Sequence, residues 1–248
     1  MPDTALLALT WRITRRRVLA SWPAVAAALA FPAGIAWIGI GHSYGTAAKL
    51  FYFLLPHAFL LAAQDAARTD LESGALENML FAAGRFRGFL RAKALVAAAW
   101  AGGYALALFG LFAAWGLALG EFRPADLVKF GLAVLAGLYY AGLAAALGHW
   151  MRGGANVLAL LLAQAAATLA LVFTAGARTG FLDHVATGRF PGLGPKLLFA
   201  GLAALLPNVV VAGRLSVFTA EVLAGLVLVW AAEERLVRAL ELRKGTRP

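Results

Sequence analysis

Apolar residues in this chain come in long unbroken runs, without the two-residue alternation of a half-buried strand. The runs are Trp22–Gly41, Ala47–Gln64, Ala92–Leu119, Leu127–Trp150, Ala155–Gly176 and Ser216–Ala232. A helix rises 1.5 Å per residue, so about twenty apolar residues cross a hydrocarbon core about 30 Å thick. In lipid every backbone N–H and C=O must be paired within the segment, which makes helices the natural form of such runs. The pattern predicts an all-α, polytopic membrane protein with six transmembrane helices in a single domain spanning 1–248. A further apolar stretch, "KLLFAGLAALLPNVVVAG" (Lys196–Gly213), is broken by Pro207-Asn208. Its unbroken part is only about 11 residues, which predicts a re-entrant or external helix before the last span.

Composition agrees with the pattern. The chain is 62% hydrophobic and 14% charged, and its mean hydropathy is +0.79. A water-facing surface needs more charge than that. Cysteine is absent, which excludes disulfides, thiolate metal sites and thiol nucleophiles. The net charge of +10 would point to nucleic acid in a soluble protein. Here no basic helix or aromatic–basic module accompanies it, and the basic residues gather at span ends, so no nucleic-acid partner is expected.

That gathering orients the chain. With six spans and both termini in the cytoplasm, the inner side receives Arg12, Arg15, Arg16, Arg17, Arg68, Arg85, Arg87, Arg91, Lys93, Arg152, Arg235, Arg238, Arg243, Lys244 and Arg247. These are fifteen of the 22 basic residues, against seven outside. A seventh span would move the basic tail out and reverse the bias, so the positive-inside rule favours six. The regions outside the spans are then a cytoplasmic interfacial helix within 1–21, a cytoplasmic loop over 65–91, an external loop with the re-entrant helix over 177–213, and a cytoplasmic basic tail over 233–248. "TRRRVL" (Thr14–Leu19) loosely fits a twin-arginine signal, yet the apolar run continues past Ala28-Leu29-Ala30 to Ile40. The reading preferred is an uncleaved interfacial helix, Ala5–Ala20, lying on the inner leaflet with Arg12, Arg15 and Arg16 on one face.

The loop between the second and third spans is the informative interruption. "DLESGALENMLFAAGRFRGFLRAK" (Asp70–Lys93) is too long for a turn and too short for a domain. Thr69 and Glu72 have capping-box spacing, and Ser73-Gly74 marks a break. Leu76, Met79, Leu80 and Ala83 then recur at helical spacing, with Glu77 and Asn78 off the stripe. Phe86, Phe89 and Leu90 make a second stripe flanked by Arg85, Arg87, Arg91 and Lys93. The segment reads as an amphipathic helical hairpin with one face for lipid and one for a partner.

The residues Glu72, Gly74, Ala75, Leu76, Glu77, Leu80, Arg85 and Lys93 follow a pattern: acidic-x-Gly-small-Leu-Glu-x-x-Leu, then a basic residue, then Lys opening the next span. This resembles the cytoplasmic loop of type-2 ATP-binding cassette (ABC) transporter permeases. The loop's place, the six-span count, the amino-terminal interfacial helix and the proline-broken segment before the last span resemble that family's layout. The sequence departs from the family's common pattern at Ala75, where Thr is usual, and at Ala83, near which a Pro is usual. The resemblance implies a coupling helix seated in a groove of a separate ATPase subunit, with two ATPases per complex and a second permease, identical or homologous. It places ATP and Mg on the partner ATPase and no cofactor on this chain. It implies an exporter in a bacterial-type inner (plasma) membrane.

The expected ATPase-coupling contacts are Glu72, Gly74, Leu76, Glu77, Met79, Leu80, Arg85 and Lys93, the apolar members buried and the charged ones fixing orientation. The chain has no Gly-x-x-x-x-Gly-Lys-Ser/Thr phosphate loop, so it does not bind ATP by that mode. It also lacks the His-x-x-x-His, His-Glu-x-x-His and Gly-x-Ser-x-Gly patterns of enzymes, and neither a catalytic nor a metal site is expected. His57, Gln164 and Glu221 are polar residues that fall within spans and away from the basic span ends. They are candidates for a pathway or for hydrogen bonds between helices. Gly102, Gly103, Gly131, Gly137, Ala141, Gly142, Ala145 and Gly148 offer close helix contacts. The rival classes are a secondary transporter, a non-transporting membrane anchor or assembly protein and, less favoured, an integral-membrane enzyme.

Overall fold

The computed structural model describes residues 4–20, 22–63, 86–151, 154–176, 191–195, 197, 205 and 215–243. Seven long helices run through them: α1 (Thr4–Ala20), α2 (Trp22–Gly41), α3 (Tyr44–Ala62), α4 (Phe86–Ala118), α5 (Pro124–Leu147), α6 (Ala155–Gly176) and α7 (Leu215–Arg243). There is no strand among the described residues. Three of these helices are long and apolar enough to cross a membrane, over Tyr44–Ala62, Gly88–Ala118 and Pro124–Leu147; shorter apolar stretches occupy Ala28–Gly41 and Ala155–Ala170.

Local chemistry sets the boundaries. Ser43 accepts the Thr46 backbone N–H at 3.2 Å and so caps α3. Between α4 and α5, Gly120 has φ of 70°, a left-handed conformation that glycine adopts without steric cost. Pro124 then occupies the first turn of α5, where its missing N–H is not needed. The Asp126 carboxylate accepts the Arg123 backbone N–H at 3.0 Å and the Lys129 ammonium at 3.3 Å.

Helix α5 is the hub, packing most extensively against α3 and α7. Two close approaches depend on missing side chains. A Cβ at Gly137 would enter the Phe59 ring of α3, and one at Gly142 would meet Val229 and Trp230 of α7. By contrast Gly102, Gly103 and Gly131, also expected to mediate close contacts, have nothing near their Cβ positions. The main core is aromatic: Phe51 stacks on Phe112 at 4.8 Å, Tyr44 on Phe112 at 4.8 Å, and Phe109 on Phe130 at 4.1 Å. A smaller cluster joins Leu60, Tyr139, Tyr140, Ala144, Val157 and Leu160. The outer faces remain apolar, with Trp37 79% and Ile40 82% exposed. A lipid surround satisfies such a surface; water would not.

The interlocking contacts give the bundle two ends. At the near end α3 finishes, α4 and α6 begin, and α7 passes Glu233. At the far end α4 finishes and α3 and α5 begin. Two elements extend well past their expected bounds, and a third, α1, packs against protein. Helix α4 already starts at Phe86, so Phe86, Phe89 and Leu90 belong to it and not to a separate hairpin arm. Phe89 and Leu90 are buried, and Leu6 of α1 lies against Gly88. Helix α7 continues to Arg243, so most of the expected basic tail is helical. Helix α1 packs along α4, with Trp11 stacked on Trp100 at 5.0 Å; its packed side is spent on protein.

Candidate functional site at the near end

Four helices converge at the near end through groups far apart in sequence. Arg91 of α4 donates to both carboxylate oxygens of Glu234 on α7, at 2.9 and 2.8 Å. Arg238 adds a contact at 3.3 Å from one turn further along α7. One residue before Glu234, Glu233 accepts from His149 Nε2, with both oxygens at 3.0 Å. His149 follows the end of α5, and its side chain is 5% exposed against 14% for Glu233. Successive α7 residues therefore hold α5 and α4. Both Arg91 bonds come from one nitrogen, Nη2, which the Glu234 carboxylate grips with its two oxygens.

Asn156 completes the junction. It is fully buried, and its amide donates to Ala144 O of α5 at 2.9 Å and to Ala63 O beyond α3 at 3.4 Å. Its side-chain oxygen accepts the Val157 N–H at 2.9 Å. One amide thus satisfies carbonyls at two helix ends, where unpaired groups accumulate. Beside it a cavity of about 70 Å³ is lined by Phe59, Ala63, Lys93, Ala141, Trp230 and Glu233, among others. The wall is mainly apolar, with Lys93 and Glu233 as its charged members.

Deeper in the bundle, His57 Nε2 lies 3.2 Å from Gln164 Oε1, and His57 Nδ1 lies 3.3 Å from Leu54 O. Both neighbours are acceptors, while a neutral imidazole has one N–H. Turning the Gln164 amide over puts its NH₂ on Nε2 and resolves the conflict. It also employs Gln164 Nε2, which is buried without a partner among the described residues. The Tyr140 ring stands 5.6 Å from His57, and Tyr140 is fully buried, so it packs in the core.

Of the residues singled out from sequence, the structure brings His57 and Gln164 together and places Lys93 on the cavity wall. Glu72, Gly74, Leu76, Glu77, Met79, Leu80 and Arg85 lie outside the described residues, as does the side chain of Glu221. The near-end pairs of Arg91, His149, Glu233 and Glu234, and the Asn156 junction, were not anticipated. Their one sequence signal is polarity placed just past apolar runs: Glu233-Glu234 after Trp230, and Asn156 after Gly153-Gly154. Among the described residues no group of three His, Asp or Glu could hold a metal ion.

No family model, no curated protein and no solved structure matches this chain. The class defined by the fold is an all-helical protein whose apolar helices support embedding in a membrane.

Proposed function

We propose that the chain is the membrane-spanning permease subunit of an ABC transporter, an exporter of six spans with both termini in the cytoplasm of a bacterial-type plasma membrane. It works beside a second permease and two separate ATPase subunits, which bring ATP and Mg; this chain is not catalytic by itself. The observation that carries the reading is a juxtaposition. The segment resembling a coupling loop, Asp70–Lys93, leads from α3 into α4 at the end of the bundle where an Arg91–Glu234 ion pair ties α4 to α7 and a His149–Glu233 hydrogen bond ties α5 to α7.

The near end suits a mechanical role. A push on the loop would load the end of α3 and the start of α4. From Arg91 the load passes to Glu234 and α7, and from Glu233 to His149 and α5. Charged hydrogen bonds can exchange partners as helices slide, whereas a close-packed aromatic core resists sliding. Work supplied at one loop thereby reaches four helices of a chain whose sequence carries no phosphate-loop motif.

The test is co-purification of the ATPase with the double variant Leu76→Asp, Leu80→Asp. The reading expects the complex to be lost while the variant remains helical and membrane-inserted; retained binding in a folded variant removes the coupling role. Reconstituted vesicles distinguish the rival classes. ATP-dependent movement that needs the ATPase supports the permease, and movement by the chain alone, driven by an ion gradient, supports a secondary transporter.

A further inference from the structure

Helix α1 has two faces, and the structure assigns them differently from a simple surface helix. Leu6, Thr10, Trp11 and Ile13 fall on the side turned to α4, where Leu6 meets Gly88 and Trp11 stacks on Trp100. Thr10 is buried, and its hydroxyl is satisfied by Leu6 O at 2.7 Å. Turned away from Leu6 and Thr10, Arg12, Arg15 and Arg16, at i, i+3 and i+4, are all exposed, Arg15 lying one turn beyond the partly exposed Trp11. No acidic residue occurs anywhere in Thr4–Ala20, and among the described residues none of the three guanidiniums has an ion-pair partner. Leu9 and Leu19, 44% and 61% exposed, flank them.

Residues three and four apart on a helix have Cβ atoms roughly 5–6 Å apart, and like charges at that spacing repel. Three unpaired arginines on one patch are therefore a standing electrostatic penalty that a bound anion relieves. The patch follows Trp11 along α1, beside the part of α4 that carries Trp100, in a helix apolar and long enough to cross a membrane. We propose that Arg12, Arg15 and Arg16 form a binding surface for the phosphodiester headgroups of anionic phospholipids, with Leu9 and Leu19 reaching toward the acyl region. A guanidinium presents a planar fork of N–H donors that matches phosphate oxygens, which an ammonium does not. The inference needs this patch to meet a leaflet and is independent of ATPase coupling, so either reading can fail alone.

The test uses the full chain in uncharged detergent, titrated with phosphatidylglycerol or phosphatidylcholine. Bound lipid is counted by native mass spectrometry and stability is followed by tryptophan fluorescence on heating. The wild type is expected to prefer phosphatidylglycerol and to be stabilised by it, with the preference weakening in salt. Each single variant, Arg12→Gln, Arg15→Gln and Arg16→Gln, should lower that preference about five-fold, and the triple variant by on the order of a hundred-fold. The triple Arg→Lys variant should keep a part of it. A helical triple Gln variant with undiminished preference overturns the proposal. Should the triple variant not fold, three single variants all indistinguishable from wild type overturn it equally. Loss of an acidic protein partner from the Gln variants, with lipid preference unchanged, would also overturn it and assign the face to protein.

Discussion

The two ends of the bundle are built from different interactions. At the far end the contacts are aromatic: Tyr44, Phe51, Phe112 and Trp115 pack across α3 and α4 and Phe109 stacks on Phe130 of α5, while the ion pair joins Asp126 to Lys129 only one turn away. At the near end the aromatic packing thins, alanines line a cavity, and the helices are joined by pairs distant in the chain, Arg91–Glu234 and His149–Glu233. Dispersion contacts between rings are numerous, non-directional and lost on small displacements. Ion pairs are few, directional and able to re-form. The far end is constructed to hold a shape; on the proposed function, the near end passes a displacement between helices.

The largest effect should come from the far end. Phe112→Ala removes a ring stacked on both Tyr44 and Phe51, and about 3–5 kcal/mol of stability should go with it, read as a fall in the thermal midpoint of the purified chain. A small change there would show that the stacks do not hold the helices. Next, Asn156→Ala removes the side-chain donor that joins Ala144 O to Ala63 O at a buried junction, leaving Ala144 O only the Gly148 N–H. A loss of about 1–3 kcal/mol is expected, with faster proteolysis at the α5–α6 connection.

The His149–Glu233 pair is tested by a double-mutant cycle. Either His149→Ala or Glu233→Ala alone should cost about 1–3 kcal/mol, since each strands a nearly buried hydrogen-bonding partner. The double variant should cost clearly less than the sum of the two; simple additivity would mean that the pair does not interact. The smallest stability effect belongs to Arg91→Gln. Arg91 is about half exposed, so only about 0–1 kcal/mol is at stake. If the near end passes displacement, that variant should nonetheless lose most ATP-coupled transport in reconstituted vesicles. Full transport by Arg91→Gln would erase the contrast between the ends.

Much of the helical layout was legible from hydropathy. Helices α2 and α6 occupy the extents of their apolar runs, Trp22–Gly41 and Ala155–Gly176, because both ends of each run meet glycine or a polar residue. Hydropathy failed where helix and apolar run part company. It placed the start of α4 at Ala92 because Arg85, Arg87 and Arg91 signal water, but arginine is a good helix former and the helix begins at Phe86. It ended α7 at Ala232 for the same reason, although Leu, Glu, Arg and Ala continue the helix to Arg243. The site was less legible than the fold. His57 and Gln164 were each visible as polar residues in apolar runs, but their meeting depends on how α3 and α6 pack. The Arg91–Glu234 pair joins residues 143 positions apart, and no local spacing encodes that. Asn156, the second residue of its apolar run, carried no signal beyond its polarity until the ends of α3 and α5 surrounded it.

Helix α7 has neither glycine nor proline from Leu226 to Arg243, and it runs unbroken past Glu233 by ten residues, about 15 Å at the helical rise. Such a rod has no joint. Whatever grips its tip also turns Glu233 and Glu234 at its shoulder, so a proline introduced at Ala239 would free the tip while sparing the shoulder, converting a stiff crank into a loose strap.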